Sequence, residues 1–118
     1  MTDTTEEGIK EIILEAVANS FWATRPVEEE PEISLVRWQI MELDGKRYFV
    51  GYHEAGYEGR VSSAIVTFDA KAKKGITESG RVYQLIGKTG IDQDARWVLG
   101  PWLVLNGFKW EDIQWRMV

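Results

Sequence analysis

Apolar residues at Ile9, Ile12, Ile13, Ala16, Val17 and Phe21 recur at three-four spacing behind Thr4 and Glu7, a capping-box pair, so residues 5–21 are predicted to form an amphipathic helix. Its polar side, Lys10, Glu11, Glu15 and Asn19, suits a helix laid on a sheet better than one on a membrane surface, which would favour Lys and Arg there. The stretch Arg25-Pro26-Val27-Glu28-Glu29-Glu30-Pro31-Glu32 holds two prolines and four glutamates and reads as a solvated loop.

Ile33–Leu43 and Lys46–His53 then flank Asp44-Gly45, a strong short-range hairpin signal. Counting from that turn pairs Glu42 with Arg47, Ile40 with Phe49, Trp38 with Gly51 and Val36 with His53, and sets Met41 opposite Tyr48 on the other face. Leu35, Val50 and Tyr52 make that second face apolar as well, which predicts a sheet covered on both sides. Val61–Phe68 reads as a third strand and Asp69–Gly75 as a charged connection. Ile76–Glu78 and Arg81–Ile86 surround a tight turn at Ser79-Gly80, which sets Glu78 against Arg81.

After Gly87-Lys88-Thr89-Gly90 the period becomes helical, with Asp92 as N-cap, Ala95, Val98, Leu99, Trp102 and Leu105 along one face, and Asn106-Gly107 as the stop. Gly100-Pro101 predicts a kink or a division into two short helices, because proline removes a backbone donor and crowds the carbonyl of Trp97. Ile113, Trp115 and Met117 alternate with Gln114 and Arg116, a strand pattern within Trp110–Met117. The expected fold is α+β and a single domain over residues 1–118: an N-terminal helix, about five antiparallel strands in a meander, a kinked helix and a C-terminal strand.

Composition narrows the function classes. A chain of 118 residues buries enough surface to fold without a metal or a disulfide, and it has no cysteine. Fourteen Lys and Arg against nineteen Asp and Glu give a net charge of −5, which works against broad attachment to phosphate backbones or anionic lipid. No stretch approaches a membrane span and Met1–Glu7 lacks a basic and apolar signal region, so a cytoplasmic protein with no cofactor is expected. Six tryptophans, at 22, 38, 97, 102, 110 and 115, mean either an aromatic core or aromatic area shown to a partner; core is the ordinary reading for any one of them, and one or two are expected on an exposed patch.

Most motifs with a chemical look fail on their spacing. Gly87-Lys88-Thr89 resembles the end of a phosphate-binding loop, but Val82 stands where the first loop glycine is required. His53-Glu54 opens like a zinc motif, yet Tyr57 takes the second histidine position and the chain has one histidine. Asp92 and Asp94 are spaced like calcium ligands, but Arg96 follows and capping explains them better. Any of Ser62, Ser63 or Ser79 used as a nucleophile would depend on His53.

The run Gly51–Arg60 survives this filter as a glycine-rich loop holding Tyr52, His53, Tyr57, Glu58 and Arg60. One reading is an ordinary connector with His53 at a strand end. The other is a recognition loop in which Tyr52 and Tyr57 give flat contact area and Arg60 a fork for carboxylate or phosphate.

Glu58-Gly59-Arg60-Val61-Ser62-Ser63, Ile65, Phe68-Asp69, Gly75, Thr77, Ser79-Gly80-Arg81, Tyr83, Leu85, Gly87, Gly90, Asp92, Asp94-Ala95, Val98, Trp102 and Asn106-Gly107 form a pattern that resembles small uncharacterised proteins of bacteria and their phages. The resemblance covers under half of the chain. It implies a shared core and an accessory role on a mobile element, and it implies no activity.

The expected function is a small non-enzymatic protein that binds another protein or a second copy of itself. The alternative is a small-molecule or nucleotide-binding domain, with an anion site at Lys88 and Thr89 by the helix N-terminus and a pocket between that turn and the 51–60 loop. Single-stranded nucleic acid on Arg37, Lys46, Arg47, Arg60 and neighbouring aromatics ranks third because of the net acidity.

Overall fold

The computed structural model describes residues 27–117. They form strands β1 (Glu32–Leu43), β2 (Lys46–His53), β3 (Glu58–Val61), β4 (Ile65–Asp69), β5 (Lys74–Thr77) and β6 (Val82–Leu85), helix α1 (Gln93–Asn106), a 3-10 turn (Trp110–Asp112) and strand β7 (Gln114–Arg116). The strands make one mixed sheet in the order β3-β2-β1-β6-β5-β4, with β7 also paired to β1.

This overturns the expected meander. β1 runs parallel to β6, with Glu32 opposite Val82 and Leu35 opposite Leu85, so the chain crosses over instead of turning back strand by strand. The predicted helix over residues 5–21 lies outside the described residues. The predicted third strand is two strands separated by Ser62–Ala64, and residues 58–60, read as loop, belong to β3.

The crossover depends on a bend in β1. The Asp44-Gly45 hairpin holds the predicted register from Leu43 to Gln39, with Glu42 opposite Arg47 and Ile40 opposite Phe49. Arg37 then takes φ of 44°, and the register slips so that Val36 faces Tyr52 and not His53. Such a bulge bends its strand and sharpens the local twist. One edge of β1 therefore serves two partners, β6 along residues 32–35 and β7 along residues 40–42. The second turn also differs by one residue. Ile76 opposes Val82 and the Thr77 N–H donates to the Arg81 carbonyl, so Glu78-Ser79-Gly80 is a three-residue loop and Glu78 does not face Arg81.

The two edge strands, β3 and β4, are consecutive in the chain, so the sheet curls toward a half-open barrel. Phe49 fills its interior and meets Phe68 of β4 and Tyr83 of β6 edge-on, at 5.6 and 5.5 Å between ring centroids. Gly75 makes room for it, since a Cβ there would lie 2.5 Å from Phe49 Cζ. Ile33, Leu35, Trp38, Ile40 and Leu85 complete this inner core. The outer face of β1, β2 and β3 carries Met41, Leu43, Val50 and Val61, covered by Ala95, Val98, Leu99 and Leu103 of α1.

Helix α1 is one element of fourteen residues with Pro101 inside it, and not the two short helices that were one of the alternatives. Its buried positions lie on both sides of the proline, and packing on a single core holds the two halves as one element. Asp92 caps its start and Gly107, at φ of 77°, closes its end. Among the described residues no helix is long and apolar enough to cross a membrane.

Candidate interaction surface

The residues expected to form a recognition loop sit on the β2–β3 hairpin, and most of them turn inward. His53 opposes Glu58 across the hairpin, with Nδ1 3.5 Å from the Glu58 carboxylate. Arg60 is 5% exposed; its Nε donates to the Tyr83 hydroxyl at 3.1 Å and its Nη1 to Glu58 at 3.0 Å, with Glu30 4.0 Å away. Alternation along β3 explains this, because Gly59 and Val61 face α1 and so Arg60 must face the barrel interior. Tyr52 is half-buried beneath the Arg37 guanidinium, 5.0 Å from its ring centroid. Of the five, only Tyr57 stands out into solvent, at the tip of the hairpin with φ of 52°.

Lys88 and Thr89 are exposed on the connection that enters α1. The backbone there is tied to β1: the Trp38 indole N–H donates to the Gly87 carbonyl and the Gly90 N–H to the Trp38 carbonyl. The helix N-terminus already holds a carboxylate. Asp92 Oδ1 accepts from the Ala95 N–H and Oδ2 from Arg37 Nε, both at 2.9 Å, and Asp94 adds a second acid in the first turn. An incoming anion would meet two negative charges where the helix dipole would otherwise attract it. Gly59 packs against Asp94, just past the 87–90 turn, and Arg37 lies between Tyr52 on one side and Gly90 and Asp92 on the other. The cavities of about 420 and 450 Å3 among the described residues are lined by other residues, from Lys46 to Asn106 in one and from Glu32 to Val82 in the other, and by none of 51–60 or 87–90. No group of three His, Asp or Glu side chains among the described residues is placed to hold a metal ion.

The tryptophans divide sharply. Trp38 is 2% exposed in the inner core, and Trp102 is half-buried against Tyr48, edge-on at 4.9 Å. Trp97 is 71% exposed, Trp110 47% and Trp115 37%. Trp97, Gly100 and Val104 follow one another at three-four spacing along the solvent side of α1, and the Trp110 ring lies over Gly100, 3.8 Å from where a Cβ would stand. The resulting ridge alternates the Trp97 indole, the Trp110 indole and the exposed Val104. At its flank β7 carries Trp115, and the Arg96 guanidinium sits 4.4 Å from that ring while its Nη2 donates to Gln39. Partial burial there pulls the Arg96 pKa below its ordinary value.

The sequence signals for this surface were present but inverted. Ala95, Val98, Leu99, Trp102 and Leu105 define the apolar face of α1 and Trp97 falls off it, so its exposure follows from helical period alone. Trp110 and its contact with Gly100 depend on the return path of the chain after Gly107, which no local pattern encodes. No family model matches the chain, and neither a curated protein nor a solved structure matches it.

Proposed function

We propose that the protein is a non-enzymatic binding module whose working surface is the ridge of Trp97, Trp110 and Val104 with Trp115 at its side, and that its partner is another protein. The observation that carries this reading is the 71% exposure of Trp97 on a helix that already packs Ala95, Val98, Leu99 and Leu103 into the core from its other side. Leaving an indole in water gives up most of the favourable transfer free energy of a large apolar group, and exposed aromatic ridges of this kind are where binding energy concentrates in protein interfaces. The only histidine supports a role without chemistry, since it is buried against Glu58. An accessory role on a phage or other mobile element is the narrower form of the proposal, and it rests on the run between Glu58 and Gly107.

The test is affinity capture from a lysate of the source cell beside light scattering of the purified chain, using wild type and a Trp97→Ser, Trp110→Ser variant. A stoichiometric partner, or a dimer, that disappears in the variant supports the reading. A strictly monomeric wild type that captures nothing the variant does not also capture defeats it.

A further inference from the structure

A cavity of about 420 Å3 opens on the other side of α1 from the tryptophan ridge, where the start of β2, the Ser62–Ala64 linker and the last turns of the helix meet. That volume falls in the range of small-molecule sites. Its floor is apolar and aromatic: Val61 and Leu105 lie beside the edge-on pair of Tyr48 and Trp102. Its rim is charged with both signs, because Lys46 Nζ and Glu78 Oε2 stand 3.7 Å apart, each side chain more than half exposed.

The rim is held in place from behind. Ser62, 2% exposed, accepts from the Phe49 N–H and donates to the Ser63 carbonyl, and Ser63 Oγ in turn accepts from the Ser79 N–H. The Glu78 N–H donates to the Ala64 carbonyl. These bonds fix the linker to β2 and to the turn between β5 and β6, so that Glu78 is carried on a backbone tied to the cavity wall. On the helix side, the Asn106 amide donates to the Trp102 carbonyl and secures the last turn.

Charge complementarity selects the ligand. A molecule with a lone carboxylate or phosphate would gain Lys46 and meet Glu78 at almost the same distance. A lone ammonium would gain Glu78 and meet Lys46. The wide spacing of the rim pair and its exposure make it a weak ion pair, so a ligand that replaces each partner with an opposite charge loses little by opening it. Burial, and after it the carboxylates of Glu78 and Asp44, raise the pKa of the Tyr48 hydroxyl above its ordinary value, so the floor carries no charge of its own.

We propose that this cavity binds a zwitterion with adjacent ammonium and carboxylate groups, an α-amino acid with an apolar or aromatic side chain. Its carboxylate sits on Lys46, its ammonium on Glu78 and its side chain against Tyr48 and Trp102. The site is independent of the tryptophan ridge and stands or falls separately from it.

Calorimetric titration of the whole chain with L-phenylalanine, L-leucine, 2-phenylethylamine and 3-phenylpropanoate tests this. The expected result is that L-phenylalanine binds at least fivefold more tightly than either singly charged analogue. Lys46→Met removes its advantage over 2-phenylethylamine, and Glu78→Gln removes its advantage over 3-phenylpropanoate. Both substitutions are at exposed positions, and circular dichroism checks that they fold. Absence of heat with both amino acids, equal affinity for the singly charged analogues, or binding indifferent to both substitutions overturns the assignment.

Discussion

Gly59 lies so close to Ala95 that a Cβ on the glycine would stand 2.3 Å from the Ala95 backbone nitrogen. The atoms in the way are backbone, those of Asp94 and Ala95, and a side chain cannot swing aside to relieve the contact. This is the point at which α1 is seated on β3, just behind its Asp92 cap. Gly59→Ala is expected to lower stability by about 3 kcal/mol, at the upper end of overpacking costs, and to lower the thermal midpoint by roughly 10 °C. Differential scanning calorimetry reads this directly, and a midpoint within a degree or two of wild type would show that the helix can shift outward without penalty.

Arg60 and Tyr57 are expected to behave oppositely. Removing the Arg60 guanidinium leaves the Glu58 carboxylate and the Tyr83 hydroxyl without their partner in a buried setting, so Arg60→Met should cost about 3 kcal/mol in urea unfolding. Tyr57, 87% exposed, should be replaceable by Ala with a change within about 0.5 kcal/mol. A double variant of the two would therefore confuse loss of fold with loss of binding, and the residues must be changed singly.

Exposure of the indoles predicts a fluorescence signature. Trp97 is the most exposed tryptophan among the described residues, so Trp97→Phe should remove a readily quenched component, while Trp38→Phe should remove one that acrylamide hardly quenches. Stern–Volmer slopes for the two variants check the division. A quenchable fraction unchanged by Trp97→Phe would mean that the outer side of α1 is covered in solution.

Glu42 and Arg116 join β1 to β7 by a bidentate pair, Nε and Nη2 each 3.0 Å from a carboxylate oxygen. The hydrogen bonds from Arg116 hold the Glu42 pKa below its ordinary 4.5. A carboxylate with a lowered folded pKa contributes stability that is present above its unfolded pKa and is lost as pH falls through the folded value. The amide signals of Gln114 and Arg116 should therefore loosen in hydrogen exchange when the pH is brought below about 4.5, before global unfolding, and Glu42→Gln should abolish that step. Uniform behaviour of β7 across that window in both proteins would contradict the assignment.

Sequence reading recovered what is local and missed what is set at a distance. The Asp44-Gly45 hairpin, the Asp92 cap and the Gly107 stop each follow from a few neighbouring residues, and the structure has all three. The hairpin register failed at Arg37, a residue type with no preference for positive φ. Its conformation is stabilised by Asp92, 55 positions away, and by the bond from Gly90 to the Trp38 carbonyl. The 51–60 run carried the right residue types for recognition. Alternation along β3 turned Arg60 inward, and a strand start at Glu58 could not be separated from loop in so glycine-rich a stretch. The cavity beside Lys46 and Glu78 unites residues from four segments, none of which forms a motif alone.

The parallel pairing of β1 with β6 also governs the order in which the chain can mature on the ribosome. Val82 lies 50 residues beyond Glu32, so the first half of β1 emerges long before the strand that completes it. Until then Ile33 and Leu35, almost fully buried in the finished protein, stand on an unsatisfied edge beside a finished Asp44-Gly45 hairpin. Nascent chains arrested before residue 82 should thus be aggregation-prone through that edge, and release of β6 from the exit tunnel the event that closes it.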